Sequence, residues 1–175
     1  MKKTMKIKCK TNYTLPSIIK KGDWIDLYVA EDITMSGPYA TTLHRKKDVE
    51  NNKRNVVFDY KLISLGVAMK LPSGFEAMVL PRSSTFKNFG ITLVNSEGVI
   101  DESFCGNDDV WKFGALAFKD TTIPSGARIA QFRIQLSQKA SFWQKLRWLL
   151  SSRIKIVKVD NLSDVNRGGI GSTGK

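Results

Sequence analysis

The chain has 175 residues, 42% hydrophobic and 25% charged, which is enough for one domain with a proper core. Two cysteines exclude a disulfide scaffold or a cysteine-rich zinc site, and the single His44 excludes a histidine-rich metal centre and argues against a serine–histidine triad. A formal net charge of +12 points to an anionic partner: a nucleotide, a nucleic acid or an acidic surface.

The opening MKKTMKIKCK is basic and lacks the apolar core of a signal peptide, and no run approaches the ~20 apolar residues of a membrane span. A reducing, cytoplasmic setting without a membrane partner is expected. Met5–Cys9 alternates apolar and basic residues, the pattern of a half-buried strand. Gly22-Asp23 turns into a second strand, Trp24–Ala30, which carries Asp26 in its middle; a charge inside so apolar a run needs a partner or a task. Met35–Asn55 is hydrophilic and aperiodic and reads as a solvated loop or insertion, with His44 an exposed passenger. Strand composition resumes at Val56–Tyr60, Leu62–Met69, Phe75–Leu80, Phe89–Val94, Val110–Phe118 and Ala127–Leu136, with turns at Leu71–Gly74 and Pro124–Gly126. Many short strands punctuated by Gly and Pro predict an all-β sandwich or barrel.

One segment breaks that pattern. Ser141-Phe-Trp-Gln144 has the form of a capping box, and Phe142, Trp143, Leu146, Leu149 and Leu150 share one helical face. A short helix lying on the β core by this stripe is expected, with Trp148 off the stripe, near Gln144. Ile154–Val159 returns to strand. The terminal Arg167–Lys175 holds four glycines among nine residues; it cannot pack a core, but its amides, Arg167, Ser172 and Thr173 are anion donors, so a mobile tail ordered by its ligand is expected.

The densest chemistry lies between Pro81 and Gly106. Arg82 beside Ser83 and Ser84 at a strand end makes a phosphate clamp, and Asp101 after two β-branched residues is a carboxylate held on a strand end. Together they point to hydrolysis of a phosphorylated substrate. The competing reading is an Arg82–Asp101 salt bridge beside a turn, and the residues alone leave the two even. Cys105 has no cation or histidine predicted beside it, so it reads as an inert thiol.

Five segments in order resemble the motifs of the homotrimeric dUTPases (deoxyuridine triphosphate nucleotidohydrolases), above all the Gram-positive bacterial and prophage branch: GDWIDL, PRSS, NSEGVIDESFCG, GARIAQ and RGGIGSTG. They span Gly22 to Gly174 and are interrupted by two apparent insertions, about 35–55 and 139–153. The resemblance implies a single distorted, jelly-roll-type β barrel over residues 1–166 with one short inserted helix, and a flexible glycine-rich arm at 167–175. It implies hydrolysis of dUTP to dUMP and pyrophosphate, with active sites shared among the three chains of a homotrimer. Asp101 matches the carboxylate that deprotonates a water attacking the α-phosphorus. Asp26 matches a carboxylate reaching Mg2+ through water. Arg82, Ser83, Ser84 and Gln131 match phosphate contacts, and Arg167, Gly169, Ile170, Gly171, Ser172 and Thr173 match the arm's grip on substrate. Asn95, with Gly98, Val99 and Ile100, matches the hairpin that reads uracil.

Two departures from the family pattern stand out. Phe104 replaces a Tyr that stacks under deoxyribose, keeping the ring and losing the hydroxyl. Ile170 replaces an aromatic over the uracil. Trp111 and Phe113, on one face of a predicted strand, are the candidates to supply that lid; the alternative is that Trp111 is core. Competing functions are dCTP deaminase, whose own signature is not visible, and a phage or prophage regulatory protein binding a protein partner through the helical insertion. No base-reading motif is present, so nucleic acid is not expected as partner.

Overall fold

The computed structural model describes residues 3–18, 22–40 and 55–169. His44, most of the hydrophilic stretch around it, and Ile170, Gly171, Ser172 and Thr173 of the arm lie outside the described residues. In chain order the described elements are β1 (Lys3–Lys10), β2 (Ile25–Tyr28), β3 (Ile33–Met35), β4 (Tyr39–Ala40), β5 (Val56–Val57), β6 (Tyr60–Ser64), β7 (Ala68–Lys70), β8 (Phe75–Pro81), α1 (Thr85–Phe89), β9 (Ile91–Leu93), β10 (Gly98–Ile100), β11 (Lys112–Ala117), β12 (Thr121–Ile123), β13 (Arg128–Leu136), α2 (Phe142–Leu150) and β14 (Ser151–Lys158). The chain is thus predominantly β, as its composition predicts.

Period-two patterning builds the sheets. In β1, Met5, Ile7 and Cys9 are fully buried while Lys6 and Lys8 face solvent. β1 pairs with β14 in parallel on one side and with β7 antiparallel on the other. A four-stranded sheet follows the order β10-β8-β13-β2, and a third sheet the order β6-β11-β9. β12 pairs with β3, and β4 with β5. The expected loop at 35–55 is therefore anchored at its stems by a short ladder, Tyr39 opposite Val57 and Ala40 opposite Val56.

The inward faces meet in one core, with Trp111, Phe75, Phe113 and Phe132 among its largest fully buried side chains. Trp111 and Phe132 meet edge to face, their centroids 5.1 Å apart. Burial pushes the Cys9 thiol up to about 12, with Lys158 pulling weakly the other way, so Cys9 is an inert core residue.

Two expectations are corrected. The strand predicted at Phe89–Val94 begins only at Ile91, because residues 85–89 form α1, which Gly90 ends in the left-handed conformation at φ +63°. Glycine reaches that region without the strain a side chain would add. The second correction concerns α2. Its capping box forms as read, Ser141 Oγ accepting from Gln144 N–H and Gln144 Oε1 accepting from Ser141 N–H. The apolar stripe, however, faces outward: Phe142, Trp143, Leu149 and Leu150 are 71%, 72%, 80% and 62% exposed. Trp148 anchors the helix instead, its ring centroid 5.2 Å from that of Phe75, and Gln144, one turn earlier on the same side, donates to Ser73 Oγ at 3.1 Å.

Candidate active site

Strand β8 carries functional groups at both of its ends. At the end marked by Pro81, the chain is tied to β13 through one carbonyl: Ile129 O accepts from Arg82 N–H at 3.1 Å and from Thr85 Oγ1 at 2.6 Å. Those bonds fix the PRSS turn and leave Ser83 exposed and Ser84 half-buried, with the Ser84 side chain not used to cap α1. The Arg82 side chain turns onto β2, where its Nε lies 2.9 Å from Asp26 Oδ1; Arg128 Nη1 lies 3.1 Å from Asp26 Oδ2. Because β13 sits between β8 and β2, Gln131 is opposite Asp26 on one side and Leu80 on the other. Arg82, Gln131 and Asp26 thus form one cationic and polar cluster at this end.

β10 runs antiparallel along the middle of β8, with Gly98 opposite Val79 and Ile100 opposite Ala77, so the chain leaves β10 toward the Phe75 end. The turn before β10 exposes Asn95, whose Nδ2 donates to Glu97 O at 3.0 Å, and Val99 in the strand is 57% exposed. Asp101 follows β10 directly. Its carboxylate accepts from Ser103 N–H at 2.9 Å and from Ser103 Oγ, and forms an ion pair with Arg167 Nη1. Partial burial pushes its pKa upward, but the two Ser103 hydrogen bonds and the Arg167 charge and hydrogen bond outweigh this and hold it below the ordinary carboxylate value. Phe104 is half-buried against the core, and its N–H donates to Asp101 O at 3.2 Å. Gly169, the last arm position described, is exposed.

The contiguous segment therefore does not bring its clamp and its carboxylate together. Asp101 follows Ile100, which is opposite Ala77, whereas Arg82 follows Pro81, five positions farther along β8 than Ala77, roughly 17 Å at ~3.4 Å per residue. The alternative Arg82–Asp101 salt bridge is corrected by the same geometry: Arg82 pairs with Asp26 and Asp101 with Arg167.

Two further expectations are corrected. Trp111 and Phe113 are fully buried in the core, so neither ring presents a face to a base. The Trp111 backbone N–H donates to Val67 O at 2.8 Å, stitching the segment before β11 into the interior. Asp26 does not fit a metal-facing role as it stands, being 2% exposed with each oxygen taken by a guanidinium. Among the described residues, no three His, Cys, Asp or Glu side chains are grouped to hold an ion.

Sequence reasoning missed two residues. One is Arg128, inside the GARIAQ motif, for which the available signal is that a buried Asp26 needs positive partners. Asp109 is 2% exposed and accepts from Gly106 N–H at 2.8 Å, Arg167 N–H at 3.0 Å and Gly168 N–H at 3.1 Å. Burial raises its pKa, but hydrogen bonds from the Arg167, Gly106, Gly168 and Cys105 amides prevail and hold it low. Its place in a polar loop gave no periodic signal.

The site's carboxylate Asp101, with Arg82 and Arg128, falls within residues 43–146, which the sequence profile described as dUTPase matches, and the chain belongs to the dUTPase family. Among its relatives, the SPbeta prophage-derived deoxyuridine 5'-triphosphate nucleotidohydrolase YosS of Bacillus subtilis is 44% identical over 156 residues, covering 89% of this chain and 87% of that one. The deoxyuridine 5'-triphosphate nucleotidohydrolase of Hydrogenobaculum is 35% identical over 119 residues, or 67% of this chain and 72% of its own. The fold is shared with the dUTPase of Streptococcus mutans (TM-score 0.59, 21% identity, 77% of this chain and 98% of that one). It is shared equally with a mutant dUTPase from phage phi11 of S. aureus, whose structure is described as coordinating a structural Mg(II) ion (TM-score 0.58, 13% identity, 78% and 94%).

Proposed function

We propose that this chain hydrolyses dUTP to dUMP and pyrophosphate, keeping uracil out of DNA and supplying the precursor of dTMP, with Asp101 as the base that deprotonates the attacking water. The observation that carries this reading is Asp101 itself: a half-exposed carboxylate at the rigid end of β10, kept ionised and paired with the arm's Arg167. A depressed pKa makes a poor proton acceptor, and the Arg167 pair contributes to that depression. A triphosphate competes for Arg167, and drawing the guanidinium onto phosphate oxygens removes its pull on Asp101. Substrate binding thus raises the basicity of Asp101 as it delivers the reacting phosphorus. Arg82, Ser83, Ser84 and Gln131 are assigned to the phosphates, Asn95 with Gly98, Val99 and Ile100 to uracil, and Phe104 to the sugar. Asp26 orients Arg82 and Arg128 in this reading. Magnesium arrives chelated to the triphosphate as part of the substrate, and no described side chain is assigned to hold it.

The separation of Arg82 from Asp101 along β8 supports a homotrimer in which one chain presents its Asp101 end to another chain's Arg82 end. Residues 1–166 are assigned to one barrel domain and the arm from Arg167 to the substrate. A cytoplasmic, reducing setting suits Cys9 and Cys105, both free thiols. Pyrophosphate release measured with dUTP, dCTP, dTTP and UTP, with and without magnesium, tests the reading. Selective, magnesium-dependent release from dUTP is expected. Deamination of dCTP, or no turnover of any nucleotide, rejects it.

A second, binding role rests on α2 and its surroundings. From Ser137 to Lys158 the sequence has no acidic residue, and Lys139, Lys145, Arg147, Arg153 and Lys155 are all exposed beside the outward Phe142, Trp143, Leu149 and Leu150. Across the strands, Lys6 is opposite Lys155 and Lys8 opposite Lys70, like charges that disfavour the sheet. We propose that this face receives an acidic protein surface with an apolar ridge. An acidic amphipathic probe peptide should bind in a salt-sensitive manner and lose affinity on Trp143→Ser. Dissociation of the oligomer by Trp143→Ser would instead assign the face to a second copy of the chain.

A further inference from the structure

The loop Gly106-Asn107-Asp108-Asp109 makes a dense set of bonds to one distant segment, Leu162–Gly168. Asn107 accepts from Leu162 N–H at 3.0 Å, donates its own N–H to Ser163 O at 2.9 Å, and reaches Asp164 Oδ1 at 3.2 Å through Nδ2. Asp108 and Asn166 bond reciprocally, Asp108 N–H to Asn166 Oδ1 at 2.9 Å and Asn166 Nδ2 to Asp108 Oδ2 at 2.8 Å. Asp109 Oδ2 accepts from the amides of Gly106 and Arg167, and its Oδ1 from the amide of Gly168. Gly106 is required by the closeness of the two strands of chain: a Cβ there would lie 2.7 Å from the Asn166 Cα and from Val165 O.

From this geometry we infer that the loop is a clasp that sets the take-off point of the arm, and that Asp109 is its central positioning residue. Arg167 is the hinge between the two halves: its backbone N–H is held by Asp109, and its side chain reaches Asp101. A buried carboxylate accepting several amides is a strong, directional anchor, because each bond is charge-assisted and the acceptor has lost its competing water. The bonds of Asp109 go to the loop it ends and to the root of the arm. The clasp therefore fixes where the arm starts while leaving the Arg167 guanidinium free to exchange Asp101 for phosphate. This inference rests on the reading of Arg167 as a triphosphate contact, but the clasp itself can be tested without turnover.

The experiment uses the full-length protein with Asp109→Ala and Asp109→Asn. Limited trypsinolysis of the ligand-free protein reads cleavage after Arg167, the bond whose flanking amides Asp109 holds. Losing two charge-assisted bonds is expected to speed that cleavage by at least about tenfold while cleavage within the barrel is unchanged. In steady-state hydrolysis of dUTP, the positioning role predicts a fall in kcat/KM carried mainly by KM, because the arm is misplaced before it grips. Unchanged cleavage after Arg167 overturns the clasp, whatever the protein hydrolyses. Faster cleavage with unchanged kcat and KM overturns the positioning role and leaves only a structural tie. Should Asp109→Ala fail to fold, Asn166→Ala opens the Asp108 side of the clasp and is held to the same two readouts.

Discussion

Arg167 closes on Asp101 within one chain, its Nη1 paired with a carboxylate that also accepts both the amide and the hydroxyl of Ser103. The proposed base is therefore occupied before substrate arrives, by the very arginine assigned to the triphosphate. Asp101→Asn keeps the shape and removes the proton acceptor. It is predicted to lower kcat by ~10²–10⁴ with little change in KM. Steady-state pyrophosphate release from dUTP measures both constants, and a variant within tenfold of the parent kcat would remove Asp101 from the role.

Acid stability follows from the same carboxylates. The folded pKa values of Asp101 and Asp109 lie below the ordinary 3.8, so the unfolded chain binds more protons at mildly acidic pH. Their contribution to stability is fully present above the unfolded value and is lost as pH falls through the depressed folded values. Urea midpoints from pH 7 down to pH 2.5 should decline below about pH 4. The decline should be shallower in Asp109→Asn, and an identical slope in the two proteins would contradict the assignment.

Asp26 tests how the arginine cluster is held. It is buried, with Arg82 and Arg128 on separate oxygens, while Arg128 is half exposed to water. Asp26→Asn weakens two charge-assisted bonds and is predicted to cost ~1–3 kcal/mol in urea unfolding. A variant as stable as the parent would show that the two arginines need no anchor.

The fold was largely legible because burial and alternation coincide in strands such as β1, where Met5, Ile7 and Cys9 point inward. The capping box of α2 was legible as well, being a local contract between Ser141 and Gln144. What failed was inference across distance. Periodicity places Phe142, Trp143, Leu149 and Leu150 on one face, but only the position of β8 decides that Trp148, stacked on Phe75, is the side that packs. Proximity in sequence likewise made Arg82 and Asp101 look like neighbours, whereas β8 and β10 carry them to opposite ends. α1 was hidden because Thr85–Phe89 is little more than one turn, too short to show a helical period; Gly90, in the left-handed stop position, was the available signal.

Trp111 falls to the core reading of the two the sequence leaves open, lid and core. Fully buried and edge-on to Phe132, it belongs to the core. Trp111→Ala is predicted to destabilise the chain by ~3–5 kcal/mol, as large-to-small core changes do. Denaturant unfolding measures the loss. A well-folded Trp111→Ala protein with weakened binding of a non-hydrolysable dUTP analogue would restore the lid.

The central claim is that a working site joins the Asp101 end of one chain to the Arg82 end of another. Two inactive variants, Asp101→Asn and Arg82→Ala, are each confirmed as folded, unfolded together in denaturant and refolded as an equal mixture. If the two groups act from different chains, mixed oligomers contain sites with both residues intact, and dUTP hydrolysis returns to a substantial fraction of the parent rate. If both groups act from one chain, no mixed oligomer carries an intact site, and the mixture stays as inactive as its components.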